Sequence, residues 1–245
     1  MISVLISKIR TSEEQAAYLA ELRDWLEGER DTPVEEMSSF FAHRLDQYEG
    51  VHLAHWAAEY EALADYLPDG LSTLLDIGCG TGLELASILR RFPDLRVTGI
   101  DLSAPMLEKL RQNYPSPRVE TICADYFSYP FEGRQYDAAL SFETLHHFPY
   151  QKKREIYRKL YRAVRSGGCY LECDYLACCQ EEEDLCLAEY HRRRQASDLP
   201  EGAFVHIDIP LTLAHQTELL TEAGFARVEL LYQNEGTALL RAERE

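Results

Sequence analysis

The chain has 245 residues, 46% of them hydrophobic, which is enough to bury one large core and allows one or two domains. Its 25 basic and 42 acidic residues leave a net charge of −17. This charge argues against nucleic acids and anionic membranes as partners, because basic surfaces bind both. Apolar runs stay short of the ~20 residues of a membrane span, and seven cysteines without a signal peptide are typical of a reducing cytoplasm. We therefore expect a cytoplasmic globular protein.

Helices are predicted in the first seventy residues. Thr11 and Glu14 have the spacing of a capping box, which marks a helix start. Gly28 follows the apolar repeat of that helix as a stop signal. A Pro-containing acidic stretch separates it from two more predicted helices, at 37–48 and 53–67. Residues 1–70 are interpreted as a helical lead-in to an α/β body at 71–245.

A glycine-rich turn follows the first predicted strand, in the motif DIGCGTG at residues 76–82. A strand that turns sharply into a helix needs small residues at the bend, and the bend exposes backbone N–H groups to polar ligands. In the dinucleotide fingerprint the third glycine comes three places after the second. Here Gly82 comes two places after Gly80. The motif predicts a nucleoside cofactor and disfavours a nicotinamide dehydrogenase.

Acidic residues stand at the ends of the next three predicted strands. Asp101 ends the second strand about twenty residues after the glycines, Asp125 follows the third, and Glu143 follows the fourth. An acid at the position of Asp101 holds ribose hydroxyls in nucleotide-binding sheets. The predicted elements of this region are helices at 85–91 and 152–164 and strands at 97–101, 119–124, 136–142 and 169–173.

The last third of the chain predicts two helices and a hairpin. A charged helix is expected at 180–194 and an apolar one at 212–223, with Gly224 as its C-terminal cap. Two closely spaced strands, 227–232 and 237–241, flank a turn that contains Asn and Gly. They predict an antiparallel hairpin on a mostly parallel sheet.

The motif D-x-G-x-G-x-G, with an acid at the end of each of the next two strands, resembles the class I S-adenosylmethionine-dependent methyltransferases over residues 48–245. The resemblance implies an α/β, Rossmann-like, doubly wound sheet of seven mostly parallel strands. Its expected order is 3-2-1-4-5-7-6, with the last strand antiparallel. It also implies an N-terminal helical cap at 1–70 and a cofactor-binding methyltransferase domain at 71–245. The implied cofactor is S-adenosylmethionine, and its product is S-adenosylhomocysteine.

The resemblance also implies which residues hold the cofactor. Asp101 is expected to take the ribose hydroxyls, and Leu102 to pack on the adenine. Asp125 is expected to take the adenine amino group, and Tyr126 to flank the ring. The other implied cofactor residues are Asp76 near the methionine amino group, the glycines Gly78, Gly80 and Gly82, the backbone of Ser141, and Tyr48 from the cap.

Glu143 and His146 are the catalytic candidates, because they follow the fourth strand, where ligands of open sheets bind. A histidine there can take a proton from a hydroxyl or ammonium group, or it can be a packed structural residue. Adjacent side chains point in different directions, so only one of His146 and His147 is expected at the site. His206 and Asp208 are assigned to a lid before the last helix.

No metal is expected, because four nearby cysteines (Cys173, Cys178, Cys179 and Cys186) match no zinc-binding spacing. The sulfonium already activates the methyl group, so the reaction requires alignment and the exclusion of water rather than a metal or a nucleophilic side chain. The sequence thus predicts methyl transfer to a small molecule. An RNA- or protein-modifying methyltransferase and a non-catalytic sensor of the cofactor remain the alternatives, and the oligomeric state is not predicted.

Overall fold

The computed structural model describes residues 5–200 and 202–245, and its centre is one mixed β-sheet. The strands run in the order β3-β2-β1-β4-β5-β8-β7, with a two-residue strand β6 beside β5. β1 to β5 are parallel, whereas β8 is antiparallel to both β5 and β7. The strands are β1 Thr73–Ile77, β2 Arg96–Asp101, β3 Val119–Cys123, β4 Tyr136–Phe142, β5 Val164–Ala177, β6 Leu211–Thr212, β7 Arg227–Asn234 and β8 Thr237–Glu243.

The predicted sheet order is confirmed once the short β6 is left out of the numbering, and so is the C-terminal hairpin. β5 is much longer than the predicted strand at 169–173. Its pairing with β4 jumps from Tyr136 opposite Val164 to Ala138 opposite Cys169. A bulge at this jump takes up the additional residues of β5, among them Gly167 and Gly168.

Eight α-helices of the described chain surround the sheet: α1 Ser12–Gly28, α2 Met37–His43, α3 Leu45–Ala62, α4 Leu85–Arg91, α5 Ala104–Asn113, α6 Tyr150–Ala163, α7 Gln180–Ala196 and α8 Leu213–Ala223. None of the helices in the described ranges has the length and apolar character needed to cross a membrane. The sequence analysis did not predict α5. Pro105 in its first turn is a typical helix-start signal that would have indicated it.

The central strands β1 and β4 are buried on both faces, which explains why they are almost continuously apolar. Alternate residues of β1 belong to two different cores. Leu75 packs with helices α6 and α8, whereas Leu74 packs with helices α4 and α5. Both leucines are fully buried. The carboxyl ends of the parallel strands therefore meet at one edge of the molecule, between two layers of helices.

The N-terminal helices cover this edge. The predicted capping box is confirmed, because Glu14 N–H donates to Thr11 Oγ1 at 3.3 Å and Thr11 N–H donates to Glu14 Oε2 at 2.7 Å. The predicted helix at 37–48 is instead divided at Arg44, whose φ of −108° and ψ of 7° interrupt the helical backbone.

The segment that begins α2 is bonded to a distant loop. Met37 N–H donates to the carbonyl of Phe204 at 3.0 Å, and His206 N–H donates to the carbonyl of Glu35 at 3.2 Å. The division of the chain at residue 70 stays a prediction, and residues 1–4 of the predicted cap lie outside the described residues. The helices thus reach across the strand ends to the loop before α8.

Candidate active site

The turn after β1 requires glycine for both conformation and space. Gly78 has a φ of 67° and Gly80 a φ of 48°, in the left-handed region that other residues avoid. A Cβ on Gly78 would lie 2.3 Å from the Cγ2 atom of Thr144, and one on Gly80 would lie 3.1 Å from the hydroxyl of Tyr48. The turn therefore keeps its backbone close to the loop after β4 and to the cap.

Asp101 ties this turn to the end of β2. Its carboxylate accepts hydrogen bonds from Gly80 N–H at 3.0 Å and from Ser103 N–H at 2.7 Å. Burial raises the pKa of Asp101, although these backbone donors oppose the rise. The residue predicted to hold the ribose thus also fixes the turn that would carry the rest of the cofactor.

A narrow cleft, here called the glycine cleft, opens beside the turn. Seven of the predicted cofactor residues line it: Tyr48, Gly78, Gly80, Asp101, Leu102, Asp125 and Tyr126. The cap contributes Met37 and Phe41, and the loop after β4 contributes Glu143 and His147. Asp125 also accepts a hydrogen bond from Phe127 N–H at 2.8 Å, which is the turn-forming role that aspartate favours.

Three predicted cofactor residues lie outside the lining of the glycine cleft. Gly82 faces Leu110 and Tyr114, and the hydroxyl of Ser141 is 2.6 Å from that of Tyr170. Asp76 is buried and hydrogen-bonded to Glu84. These residues support the turn and the sheet from within, and their contact with a cofactor stays a prediction.

Asp76 and Glu84 form a buried pair of carboxyl groups. Burial raises the pKa of Glu84 to about 7, and burial together with the charge of Glu84 raises that of Asp76. One oxygen of each side chain has no hydrogen-bond partner within the described residues. The pair therefore retains a proton near neutral pH, and its ionisation opposes folding.

Replacing Glu84 with glutamine is expected to stabilise the protein at alkaline pH. The pKa of Glu84 is 4.5 in the unfolded chain and about 7 in the folded protein, so the folded protein loses stability as the pH rises between these two values. The amide of a glutamine at this position cannot ionise, so the variant escapes this loss. We expect Glu84→Gln to be more stable by about 3 kcal/mol at pH 8 and by less than about 1 kcal/mol at pH 5, with the difference vanishing below about pH 4. Urea unfolding at pH 5, 6.5 and 8 measures it. Glu13→Gln, on the exposed face of α1, is the control, and an equal difference at all three pH values would contradict the assignment.

A second cavity adjoins the glycine cleft and is here called the histidine chamber. It encloses about 410 Å³ and shares Phe41, Glu143 and His147 with the cleft. Trp56 and Tyr175 add aromatic walls. Five of the eight histidines of the chain line it: His52, His55, His146, His147 and His206.

His146 is fixed by Asp174 at the end of β5. The ring Nδ1–H donates to Asp174, whose carboxylate also accepts the backbone N–H groups of Leu145 at 2.7 Å and of Tyr175 at 2.8 Å. Burial favours the neutral imidazole, but the charges of Asp174 and Asp208 prevail and raise the pKa of His146 to about 9. At neutral pH the ring is a cation whose Nε2 points toward Asp208, 3.6 Å away.

His147 differs from His146 in both charge and position. Burial and the neighbouring positive charge of His146 lower its pKa, so the ring is neutral at pH 7. Its Nδ1 atom lies 3.0 Å from Asp208 Oδ1. Both rings line the histidine chamber, with centroids 3.9 Å apart, because a short 3₁₀ turn at Leu145–His147 sets them side by side. The expectation that only one of the two histidines would face the site is therefore wrong for this chamber.

Glu143 stands at the junction of the two cavities. Its φ of 46° is unusual for a residue other than glycine, and its Oε1 atom is buried without a hydrogen-bond partner in the described chain. Burial raises the pKa of Glu143 to about 8, although the positive charge of His146 opposes the rise. Strained backbone of this kind is concentrated at functional sites.

The comparisons with known proteins agree with this geometry. A family model described as a methyltransferase domain matches residues 74–168. A malonyl-[acyl-carrier protein] O-methyltransferase of Priestia megaterium is 32% identical over 124 residues, which are 47% of this chain and 44% of that protein. The chain spans about half the length of the curated relatives that it matches.

Solved structures share the fold. An O-methyltransferase family protein from Burkholderia thailandensis superposes with a TM-score of 0.68 and 19% identity, over 95% of this chain and 72% of that one. A DhpI–SAH complex superposes with a TM-score of 0.63 and 21% identity, over 84% and 94%. Residues 74–168 thus match a methyltransferase domain, and the chain shares its fold and strand order with an O-methyltransferase family protein.

Proposed function

We propose that the chain transfers the methyl group of S-adenosylmethionine, bound in the glycine cleft, to a small molecule in the histidine chamber. One observation carries the proposal: the two cavities meet at Phe41, Glu143 and His147. A methyl donor on one side and an acceptor on the other would face each other across this junction. Catalysis by alignment needs this arrangement, with little other chemistry from the protein.

The reaction needs few charged groups. The bond between sulfur and the methyl carbon breaks, and its electron pair stays on sulfur, so the cofactor leaves as a neutral thioether. The acceptor atom forms the new bond to the methyl carbon and releases its proton to water. The aromatic and imidazole walls of the chamber support this scheme, because they limit the access of water to the reacting atoms.

The cofactor is assigned to the residues at the strand ends. Asp101 would take the ribose hydroxyls, and Leu102, Asp125 and Tyr126 would hold the adenine. The glycine cleft is narrow because Tyr48 closes over Gly80, so a bound cofactor requires this part of the cap to move outward. The left-handed glycines let the backbone approach the methyl donor, and the carboxylate of Asp101 can accept hydrogen bonds from its ribose hydroxyls. The cap helices would cover the bound donor.

His146 and Glu143 are assigned to the acceptor. The pKa of His146 is raised to about 9, so this ring is protonated at pH 7 and donates a hydrogen bond rather than accepting a proton. Glu143, with a pKa raised to about 8, is also a donor at that pH. Both would orient an acceptor with lone pairs, such as a hydroxyl oxygen.

A small acceptor fits the chamber better than a macromolecule does. The space of about 410 Å³ lies within the range of small-molecule pockets. The net charge of −17 disfavours RNA, because RNA binding draws on basic surfaces. The alternative function is a sensor that binds the cofactor without transferring its methyl group. Such a sensor would use the same cofactor-binding residues.

Calorimetry followed by a turnover assay tests the proposal. We expect S-adenosylhomocysteine to bind with a stoichiometry of one. We also expect S-adenosylmethionine, incubated with the protein and a small-molecule extract, to yield S-adenosylhomocysteine. Binding without product formation would support the sensor instead. If neither S-adenosylmethionine nor S-adenosylhomocysteine binds at millimolar concentrations, the proposal is refuted.

A further inference from the structure

We propose that His146, His147 and Asp208 form a binding site for a divalent transition metal at the wall of the histidine chamber. Each residue offers one ligand atom within 4.8 Å of the other two. We assign Nε2 of His146, Nδ1 of His147 and Oδ1 of Asp208 as these atoms, because both nitrogens lie close to that oxygen. Two imidazoles and one carboxylate suit zinc, manganese, cobalt and related ions.

The separations match those of ligands around one ion. Bonds of about 2.1 Å set neighbouring ligand atoms about 3.0 Å apart in octahedral and about 3.4 Å apart in tetrahedral geometry. Asp208 Oδ1 lies 3.0 Å from His147 Nδ1 and 3.6 Å from His146 Nε2. Nε2 of His146 and Nδ1 of His147 therefore lie about as far from the same Asp208 oxygen as two ligand atoms of one ion lie from each other.

The hydrogen bonds around His146 are those of a metal ligand. Its Nδ1–H donates to Asp174, so Nε2 is the atom that would coordinate once the ion displaces its proton. The ion would then take the place of the Nε2–H that contacts the acceptor in the metal-free protein. Asp174 is itself held by the backbone N–H groups of Leu145, His146 and Tyr175. A ligating histidine almost always donates its other ring nitrogen to a fixed carboxylate or carbonyl in this way.

His147 supplies an independent observation. Its Nδ1 atom is buried and lies 3.0 Å from Asp208 Oδ1, but the contact does not have the geometry of a hydrogen bond. A buried nitrogen that is not fully satisfied is costly, and coordination would satisfy it. Asp208 is also held in place, because the following residue, Ile209, donates its N–H to the carbonyl of His146 at 2.7 Å.

The charge around the site attracts a cation. The carboxylates of Asp174 and Asp208 flank the two imidazoles. In the alternative grouping of Glu143, His146 and Asp174, the nitrogen near both carboxylates is Nδ1, which we assign as the donor to Asp174, so we place the ion at the first group. An ion bound by three side chains keeps open positions, and these would face the chamber.

This site deepens the proposed function and rests on it for the identity of the acceptor. A hydroxyl oxygen of a small molecule would occupy an open position of the ion. Coordination lowers the pKa of a bound hydroxyl and orients its lone pair, which are the two requirements of an oxygen nucleophile. The acceptor is therefore assigned to hydroxyl compounds that coordinate metals.

Titration of the chelator-treated chain with Co²⁺ and Mn²⁺ tests the site, by calorimetry and by the visible absorption of Co²⁺. We expect one equivalent to bind, and Asp208→Asn and His147→Gln each to weaken binding at least tenfold. Asp174→Asn is expected to weaken it about 10- to 100-fold through the orientation of His146. Thermal unfolding of each variant checks that it is folded.

Two controls make the result specific. His55→Gln removes a histidine of the same chamber that lies outside the group of ligands, and it should bind Co²⁺ like the wild type. Cys178→Ser/Cys179→Ser removes adjacent thiols, with sulfurs 3.9 Å apart, that could bind Co²⁺ elsewhere, and it should also bind normally.

The site is refuted if the wild type shows no stoichiometric binding at about 1 mM metal, or if Asp208→Asn and His147→Gln bind as the wild type does. Binding of S-adenosylhomocysteine to the chelator-treated chain is measured in parallel. Loss of that binding overturns the proposed function, whereas loss of Co²⁺ binding alone overturns only the metal site.

Discussion

Replacing Gly78 with alanine is expected to destabilise the protein by about 2–5 kcal/mol, by combining left-handed strain with overpacking. The new Cβ would lie 2.3 Å from Thr144 Cγ2 and 2.6 Å from its hydroxyl, and the φ of 67° adds strain. Relief of this overlap displaces Thr144 and the neighbouring Glu143. We therefore expect the binding of S-adenosylhomocysteine to fall at least 100-fold, measured by calorimetry beside urea unfolding.

Gly167 provides the matched control for this variant. Its φ of 77° is equally left-handed, but a Cβ there would meet no atom within 4 Å. Gly167→Ala should cost about 1–2 kcal/mol of conformational strain and leave the affinity for S-adenosylhomocysteine unchanged. Thr144→Ala removes the side-chain atoms that the new Cβ would overlap, so adding it to Gly78→Ala should recover part of the lost stability. If Gly78→Ala were no more damaging than Gly167→Ala, the close contact with Thr144 would be unimportant.

Replacing Asp101 with alanine is expected to weaken the binding of S-adenosylhomocysteine by about 5- to 150-fold, the equivalent of 1–3 kcal/mol. The variant loses the acceptor assigned to the ribose. It also loses the hydrogen bonds from Gly80 N–H and Ser103 N–H, which fix the turn. Calorimetry on the folded variant measures both losses together.

Two further variants separate these effects. Asp94→Ala removes an exposed carboxylate that is paired with Arg118 and lies outside the lining of both cavities, so it should bind like the wild type. Asp101→Asn retains one acceptor oxygen for the turn and should bind more tightly than Asp101→Ala. An unchanged affinity in a folded Asp101→Ala variant would mean that other residues hold the ribose.

The sheet could be predicted from sequence because the burial of its central strands on both faces leaves a strong pattern. The strand β4 and the helix α4 have the bounds that were predicted, because the apolar pattern of each one stops where the element ends. The break at Arg44 and the bulge in β5 were not predicted, because both depend on backbone angles that the composition allows but does not require. The helix α5 was missed although Pro105 marks its start.

The site divides in the same way. Residues of the glycine cleft follow from a local motif, and seven of the ten predicted cofactor residues line it. The convergence of His146 and Asp208 was not predictable, because 62 residues separate them and the contact depends on how the loop before α8 folds back. Asp174 was expected beside His146, because both follow strands whose carboxyl ends meet at one edge of the sheet. The hydrogen bond between them depends in addition on the register of β5 beside β4.

The hydrogen bonds between the start of α2 and the loop before α8 have a kinetic consequence. Met37 and Glu35 hold Phe204 and His206, four and two residues before the loop's Asp208. A methyl donor bound in the glycine cleft, as proposed, would push the cap outward at Tyr48 and Met37 and so displace the wall of the neighbouring chamber. Binding of the donor would then also change the shape of the acceptor site. This coupling favours an ordered sequence in which the donor binds first and the methylated compound leaves before the spent nucleoside.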